Sequence, residues 1–298
     1  MCFKPLWGDL MAEIVIDKLR YRYPETENLA LDGISCEISQ GEFIGVIGRN
    51  GSGKSTFAQA LLGLVPNFYH GAYGGSVNIG GLNVKESSVD ELCQKVGLVF
   101  QNPFNQITGS KLSVYEEIAF GLENFGVAPD EMRRRIDEVM DRLGIADLAK
   151  RTPYDLSGGQ MQRMALAGIM VMQPDVIVLD EPTSQLDPQG ASEVFDAVGA
   201  LKNQGKTIIM VEHKMEQIAA YSDRVMLLDA GKLIAMDKPK VIFSRDDLAQ
   251  HGISAPIYTQ ICHELSIRGS DGLFPVTLEE TQALLERDLR ENVSDEAH

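Results

Sequence analysis

The chain lacks any uninterrupted apolar run approaching the ~20 residues that a membrane helix needs. If it works at a membrane, it must do so through integral partners. Its first residues, Met1-Cys2-Phe3-Lys4-Pro5-Leu6-Trp7-Gly8-Asp9-Leu10, are too short and broken for a secretory signal. A clean strand pattern starts only after Met11, so residues 1–12 are expected to be an N-terminal extension. Cysteine is scarce. Cys2, Cys36, Cys93 and Cys262 show no CxxC spacing, which fits reduced cytosolic thiols, and no four-ligand metal spacing arises with His251 or His263. Positive charge is short as well: 27 Lys and Arg face 43 Asp and Glu, for a net charge of −16. That balance argues against a nucleic-acid surface, which needs a basic stripe. Internal repeats, low-complexity tracts and sustained heptads are missing too, which speaks against a long coiled coil.

What remains is a globular chain. Hydrophobic residues make up 44% and charged residues 23% of its 298 positions, enough for one elaborate domain or one domain with an appendage. The most informative stretch is Gly48-Arg49-Asn50-Gly51-Ser52-Gly53-Lys54-Ser55-Thr56, which fits G-x-x-x-x-G-K-[ST]. Glycines let successive backbone N–H groups converge on phosphate oxygens, and the following helix aims its positive end at the same charge. Lys54 can reach the β- and γ-phosphates of a nucleoside triphosphate, and the Ser55 hydroxyl can ligate Mg²⁺. The apolar run Phe43-Ile44-Gly45-Val46-Ile47 reads as a buried strand entering the loop, and Thr56 to Leu64 as the helix leaving it.

Elsewhere Ile14–Ile16, Tyr21–Tyr23, Leu29–Ile38, Gly75–Ile79 and Val96–Phe100 read as strands, and Ser113 to about Ala149 turns helical. Val176-Ile177-Val178-Leu179 and Thr207-Ile208-Ile209-Met210-Val211 are all-apolar strands of the kind that parallel sheets cover on both faces. Arg224 to Met236 reads as a hairpin turning at Asp229-Ala230-Gly231. Two carboxylates close the Val176–Leu179 strand. Asp180 is placed to hold Mg²⁺ through water, and Glu181 to polarise an attacking water as general base.

Between loop and carboxylates lies Leu156-Ser157-Gly158-Gly159-Gln160. Ser157 with the amides of Gly158 and Gly159 reads as a second anion site at a helix N-terminus, and two such sites far apart in sequence suggest a ligand shared across a dimer. With this LSGGQ signature in place, the chain resembles the ATP-binding cassette (ABC) ATPases over about residues 13–240. The resemblance implies an α/β P-loop NTPase cassette with a RecA-like parallel-sheet core, an antiparallel β subdomain and an α-helical signature subdomain. A helical appendage with an acidic tail follows over 241–298, either regulatory or dimer-stabilising, or a passive cap. ATP and Mg²⁺ are the implied cofactors. Residue by residue, Gln101 looks like the glutamine that ligates Mg²⁺ and couples to a transporter, and Asp187 resembles the loop that communicates across a dimer. His213 resembles the switch histidine at the γ-phosphate. Tyr23 looks like the aromatic that stacks on adenine, with Tyr21 on the same strand face as a possible substitute.

The segment Phe100-Gln101-Asn102-Pro103-Phe104-Asn105-Gln106, continuing to Ala119–Asn124, is similar to the energy-coupling factor ATPases. These power importers of vitamins or of cobalt and nickel ions. The implied partners are a transmembrane coupling subunit, an integral substrate-binding subunit and a second cassette, identical or not, at the cytoplasmic face of the cell membrane. Phe104 departs from the subgroup, which usually carries an acidic residue there, and would put an apolar side chain near the expected transporter contact. A conventional binding-protein-dependent importer, an exporter, or a soluble cassette ATPase acting on DNA or the ribosome are the alternatives.

Overall fold

In a computed structural model of the protein, residues 12–295 are described. Apart from residue 12, the extension expected over residues 1–12 lies outside them, as do the last three residues of the acidic tail. The described chain builds two sheets. The first joins β1 (Ala12–Arg22), β2 (Leu31–Ser39), β4 (Ala72–Ile79) and β5 (Leu82–Asn83) in the order β2-β1-β4-β5, all antiparallel. The second holds β3 (Phe43–Ile47), β6 (Val96–Val99), β7 (Val176–Asp180), β8 (Thr207–Val211), β9 (Arg224–Asp229) and β10 (Lys232–Asp237). Its order is β10-β9-β3-β8-β7-β6, and every neighbouring pair is parallel except the β9–β10 hairpin at one edge.

Strand alternation sends the side chains of this central sheet into two cores. Phe43, Ile177, Leu179, Ile208 and Met210 face the helical side, where they meet Met161, Phe195 and Ile218. Ile44, Val46, Val176, Val178, Ile209 and Val211 face the antiparallel sheet and the helix Lys54–Leu61. Both faces are covered, which is why these strands read as unbroken apolar runs. Each fully buried aliphatic side chain contributes about 1.5–3 kcal/mol of transfer free energy. The layering is that of an α/β cassette with a parallel core, an antiparallel β subdomain and a helical insertion between β6 and β7.

Several sequence-level boundaries shift. The expected strands Ile14–Ile16 and Tyr21–Tyr23 are one strand, β1, whose pairing slips around Lys18, a residue with φ +48°. The helix after the phosphate loop begins at Lys54 and ends at Leu61. The helical stretch from Ser113 divides into Val114–Asn124 and Pro129–Arg142, the first closed by Gly126 at φ +66° and the second opened by Pro129. Beyond β10 come the helices Pro239–Phe243, Ile257–Glu264 and Leu278–Asp295. The first carries Ile242 and Phe243 into the helical-side core.

Candidate functional site

Four parallel strands end at the same edge, and each delivers one part of the site. β3 runs into the phosphate loop, β6 into Gln101, β7 into Asp180 and Glu181, and β8 into Glu212 and His213. Carboxyl ends of an open α/β sheet are where such folds place ligands. Here they border a cleft of about 700 Å³ lined by Tyr23, Ala30, Asn50, Gly51, Gly53, Lys54, Ser55, Thr56, Gln101, Glu181 and His213.

Two of the loop's glycines, Gly48 and Gly53, are sterically required. A Cβ at Gly48 would lie 2.2 Å from the Leu228 carbonyl oxygen, and one at Gly53, where φ is +102°, 2.5 Å from that of Ala30. Lys54 is buried, and its ammonium donates to the carbonyl oxygens of Gly48 (2.7 Å) and Arg49 (3.0 Å). Burial holds its pKa below the usual lysine range, while Glu181 and Asp180 act in the opposite sense. Ser52 is buried beneath the loop, whereas Arg49 stands outside the cleft and pairs with Asp229 at 2.7 Å. Tyr23 lies just past the end of β1. Its hydroxyl donates to Gln59 Oε1 at 3.1 Å and lies 3.2 Å from Thr56 Oγ1. Tyr21 does not share this position. It is fully buried, donates to the Tyr69 carbonyl oxygen at 2.6 Å and packs edge-on against Tyr23, so it is a core residue and no substitute for it.

Glu181 is the hub of the polar side. Gln101 Nε2 donates to its Oε2 at 2.7 Å, and His213 Nε2 lies 3.1 Å from its Oε1. Its backbone sits at φ +48°, a left-handed conformation that costs a non-glycine residue of order 1–3 kcal/mol, and its N–H donates to the Val211 carbonyl oxygen. That strained turn points the carboxylate into the cleft rather than along the strand. Asp180, one residue earlier, is buried, and its Oδ1 has no hydrogen-bond partner. Burial pushes its carboxyl above the usual carboxylate range, against the pull of the Ser55 hydroxyl. A buried carboxylate oxygen with free lone pairs, beside the Ser55 hydroxyl and next to a cleft that the Gln101 amide also lines, offers hard oxygen donors, and these fit Mg²⁺.

The signature residues lie elsewhere. Ser157 caps the helix Gly158–Met170: its Oγ accepts from the Gln160 N–H at 3.3 Å, while Gln160 Oε1 accepts from the Ser157 N–H at 3.0 Å. Leu156 is buried behind them. Gln185 and Leu186 close over the two glycines, since a Cβ at Gly158 would lie 2.5 Å from Gln185 Oε1 and one at Gly159 2.9 Å from Leu186 Cδ2. Asp187, expected in a loop, is the N-cap of the helix Pro188–Asn203 and accepts from the Gly190 N–H at 2.8 Å. Ser157, Gly158, Gly159, Gln160 and Asp187 border a second cleft of about 440 Å³, which shares no lining residue with the first.

Residues 31–184 match the family described as ABC transporter. The chain belongs to that family. As an ABC cassette it binds and hydrolyses ATP in the service of transport. It is 41% identical over 258 residues to the energy-coupling factor transporter ATP-binding protein EcfA1 of Lacticaseibacillus paracasei, covering 86% of this chain and 90% of that protein. Among solved structures it is similar to cbiO1 from Clostridium perfringens, described as part of the ABC transporter complex cbiONQ. The TM-score is 0.69 at 33% identity, with 86% of this chain and 99% of that one covered. A dimeric ATP-binding cassette in a post-hydrolysis state, bound to ADP and Pi, matches with a TM-score of 0.67 at 28% identity over 76% of this chain and 98% of that one.

Sequence reasoning passed over two features of the cassette. One is Glu212, a buried charge between an apolar strand and His213, whose position in the sequence was the only signal. The other is the Arg49–Asp229–His251 contact, in which His251 Nδ1 lies 2.9 Å from the second Asp229 oxygen. It joins three segments distant in sequence and leaves no local pattern.

Proposed function

We propose that this ABC cassette is the ATP-hydrolysing subunit of an energy-coupling factor importer for a micronutrient, a vitamin or a cobalt or nickel ion. The supporting observation is the pairing of a complete phosphate cleft with a complete signature cleft that has no residue in common with it. A chain so built needs a second cassette to bring a signature to its own nucleotide, whether a second copy or a related chain. The name of the relative EcfA1 and the cbiONQ complex that contains cbiO1 favour an energy-coupling factor assembly.

In this reading the phosphates lie along the amides of residues 48–56, with Lys54 turning its ammonium from the Gly48 and Arg49 oxygens to the β- and γ-phosphates. Tyr23 stacks on the base. Ser55, Gln101 and Asp180 would hold Mg²⁺, which would supply positive charge to offset that of the phosphates. Glu181 takes a proton from water as the water oxygen bonds to the γ-phosphorus and the bond to the β–γ bridging oxygen breaks. Gln101 and His213 orient the two oxygens of that carboxylate. Leu156 to Gln160 close on the nucleotide of the partner cassette, and Asp187, rigid at its helix cap, carries the state of one site to the other. The dimer closes on ATP and reopens on product release. The motion passes near Gln101 to a transmembrane coupling subunit, which works with an integral substrate-binding subunit. Among the described residues no helix is long and apolar enough to cross a membrane, so membrane contact is assigned to those partners at the cytoplasmic face. We divide the chain at about residue 240, into this cassette and a C-terminal appendage.

The variant Glu181→Gln tests the mechanism. It should keep ATP affinity, lose about two to four orders of magnitude in turnover, and elute as a dimer when ATP is added. Steady-state hydrolysis near the parental rate would remove Glu181 from its role.

A further inference from the structure

We infer that Glu212 is a positioning residue for hydrolysis: its buried carboxylate clasps the turn that carries Glu181 to the turn that carries His213. The inference rests on the roles proposed for those two residues.

Glu212 is 3% exposed and pairs with no cation among the described residues. A carboxylate in such a place must be met by hydrogen-bond donors, and three converge on it. The Thr183 hydroxyl donates to Oε1. The backbone N–H groups of His213 (2.7 Å) and Lys214 (3.3 Å) donate to Oε2. Thr183 is itself buried and lies two residues after Glu181, in the turn that follows β7. His213 and Lys214 form the turn after β8, and Lys214 caps the helix Met215–Tyr221. One side chain thus holds both turns, from opposite oxygens. The Glu212 N–H reaches the Val46 carbonyl oxygen on β3 at 3.4 Å, directly before the strand enters the phosphate loop. Glu212 is not itself part of the cleft lining and reaches it only through the His213 backbone. What it governs is the 3.1 Å separation of His213 Nε2 from Glu181 Oε1; among the described residues no other side-chain hydrogen bond besides that contact ties the two turns together.

A clasp and a general structural prop make different predictions. Glu212→Ala should lower kcat about 10- to 100-fold while the KM for ATP stays within about threefold, the signature of a displaced catalytic pair. In a His213→Ala background the same change should cost less than about twofold more, because the histidine it positions is already gone. Glu212→Gln should restore most of the turnover: its carbonyl oxygen can accept from the two N–H groups and its amide can donate to the Thr183 hydroxyl. Where Glu212→Ala fails to fold, Thr183→Val breaks one arm of the clasp alone and should lose kcat in the same non-additive way with His213→Ala.

Losses that multiply in the double variants, or a rise in KM that matches the fall in kcat, would overturn the positioning role. So would a Glu212→Gln variant as slow as the alanine form, since that would make the charge itself the active feature. If His213→Ala alone keeps parental turnover, the role of His213 fails and the inference falls with it. That outcome is distinct from a damaging His213→Ala with additive Glu212→Ala, which overturns the inference and leaves the mechanism standing.

Discussion

Lys54 changes partners in the proposed function. Its ammonium satisfies the Gly48 and Arg49 carbonyl oxygens and is already buried, so phosphate oxygens would compete for it at little extra desolvation. A charge-assisted hydrogen bond contributes about 1.5–3 kcal/mol, so Lys54→Ala should weaken ATP binding by at least about tenfold, measured by equilibrium binding of a nucleotide analogue. Affinity unchanged from the parent would contradict the phosphate-loop assignment. The residue scale is also where the sequence was most readable. Lys54, Ser55, Asp180, Glu181 and the signature serine carry fixed chemistry at fixed spacing, and the structure puts the first four of them around one edge of the central sheet. Tyr21 was misread because strand periodicity does not register depth: it is fully buried within β1, whereas Tyr23, just past the strand's end at Arg22, reaches the cleft.

Elements owe their placement to which faces are covered. β7 and β8 are buried on both sides, so their register is fixed by two cores at once, and their last residues cannot slip relative to the phosphate loop. The C-terminal segment joins this frame through apolar side chains such as Ile242 and Phe243 and through polar contacts that no local pattern announced. Gly252 packs against Arg49 closely enough that a Cβ there would lie 3.2 Å from the arginine's own, and His251 and Arg49 share the two oxygens of Asp229. The His251 imidazole also lies 3.6 Å from Asp247, which pairs with Arg245. His251 and Arg49 hold the Asp229 carboxyl below the usual carboxylate range. Its folded pKa is the lower one, so the contact stabilises the fold above the unfolded value, and that contribution is lost as pH falls through the folded value. The stability advantage of the parent over Asp229→Asn should therefore be present above about pH 4 and narrow below it, read by thermal denaturation. A gap that does not narrow on further acidification would show that these contacts do not hold the Asp229 carboxylate.

At the scale of the whole molecule, the division of labour between two clefts in one chain governs everything else. In the proposed function, a phosphate cleft and a signature cleft with no lining residue in common make each chain half of two sites, which suits an assembly that works by closing and opening. The parallel core, the order of motifs and the membership in the ABC transporter family were legible from the residues, because each motif is a local solution to binding a phosphate or capping a helix. The clasp at Glu212 and the docking of the C-terminal segment were not, because both depend on side chains meeting across sequence separations of 22 residues and more. The transported compound leaves no mark at all in this chain if another subunit binds it. The most direct test of the central proposal is to isolate the chain from gently solubilised native membranes and identify what accompanies it. A transmembrane coupling subunit, a small integral substrate-binding protein and a second cassette should come with it. Recovery of two conventional permease subunits with an extracytoplasmic binding protein would contradict the energy-coupling factor assignment.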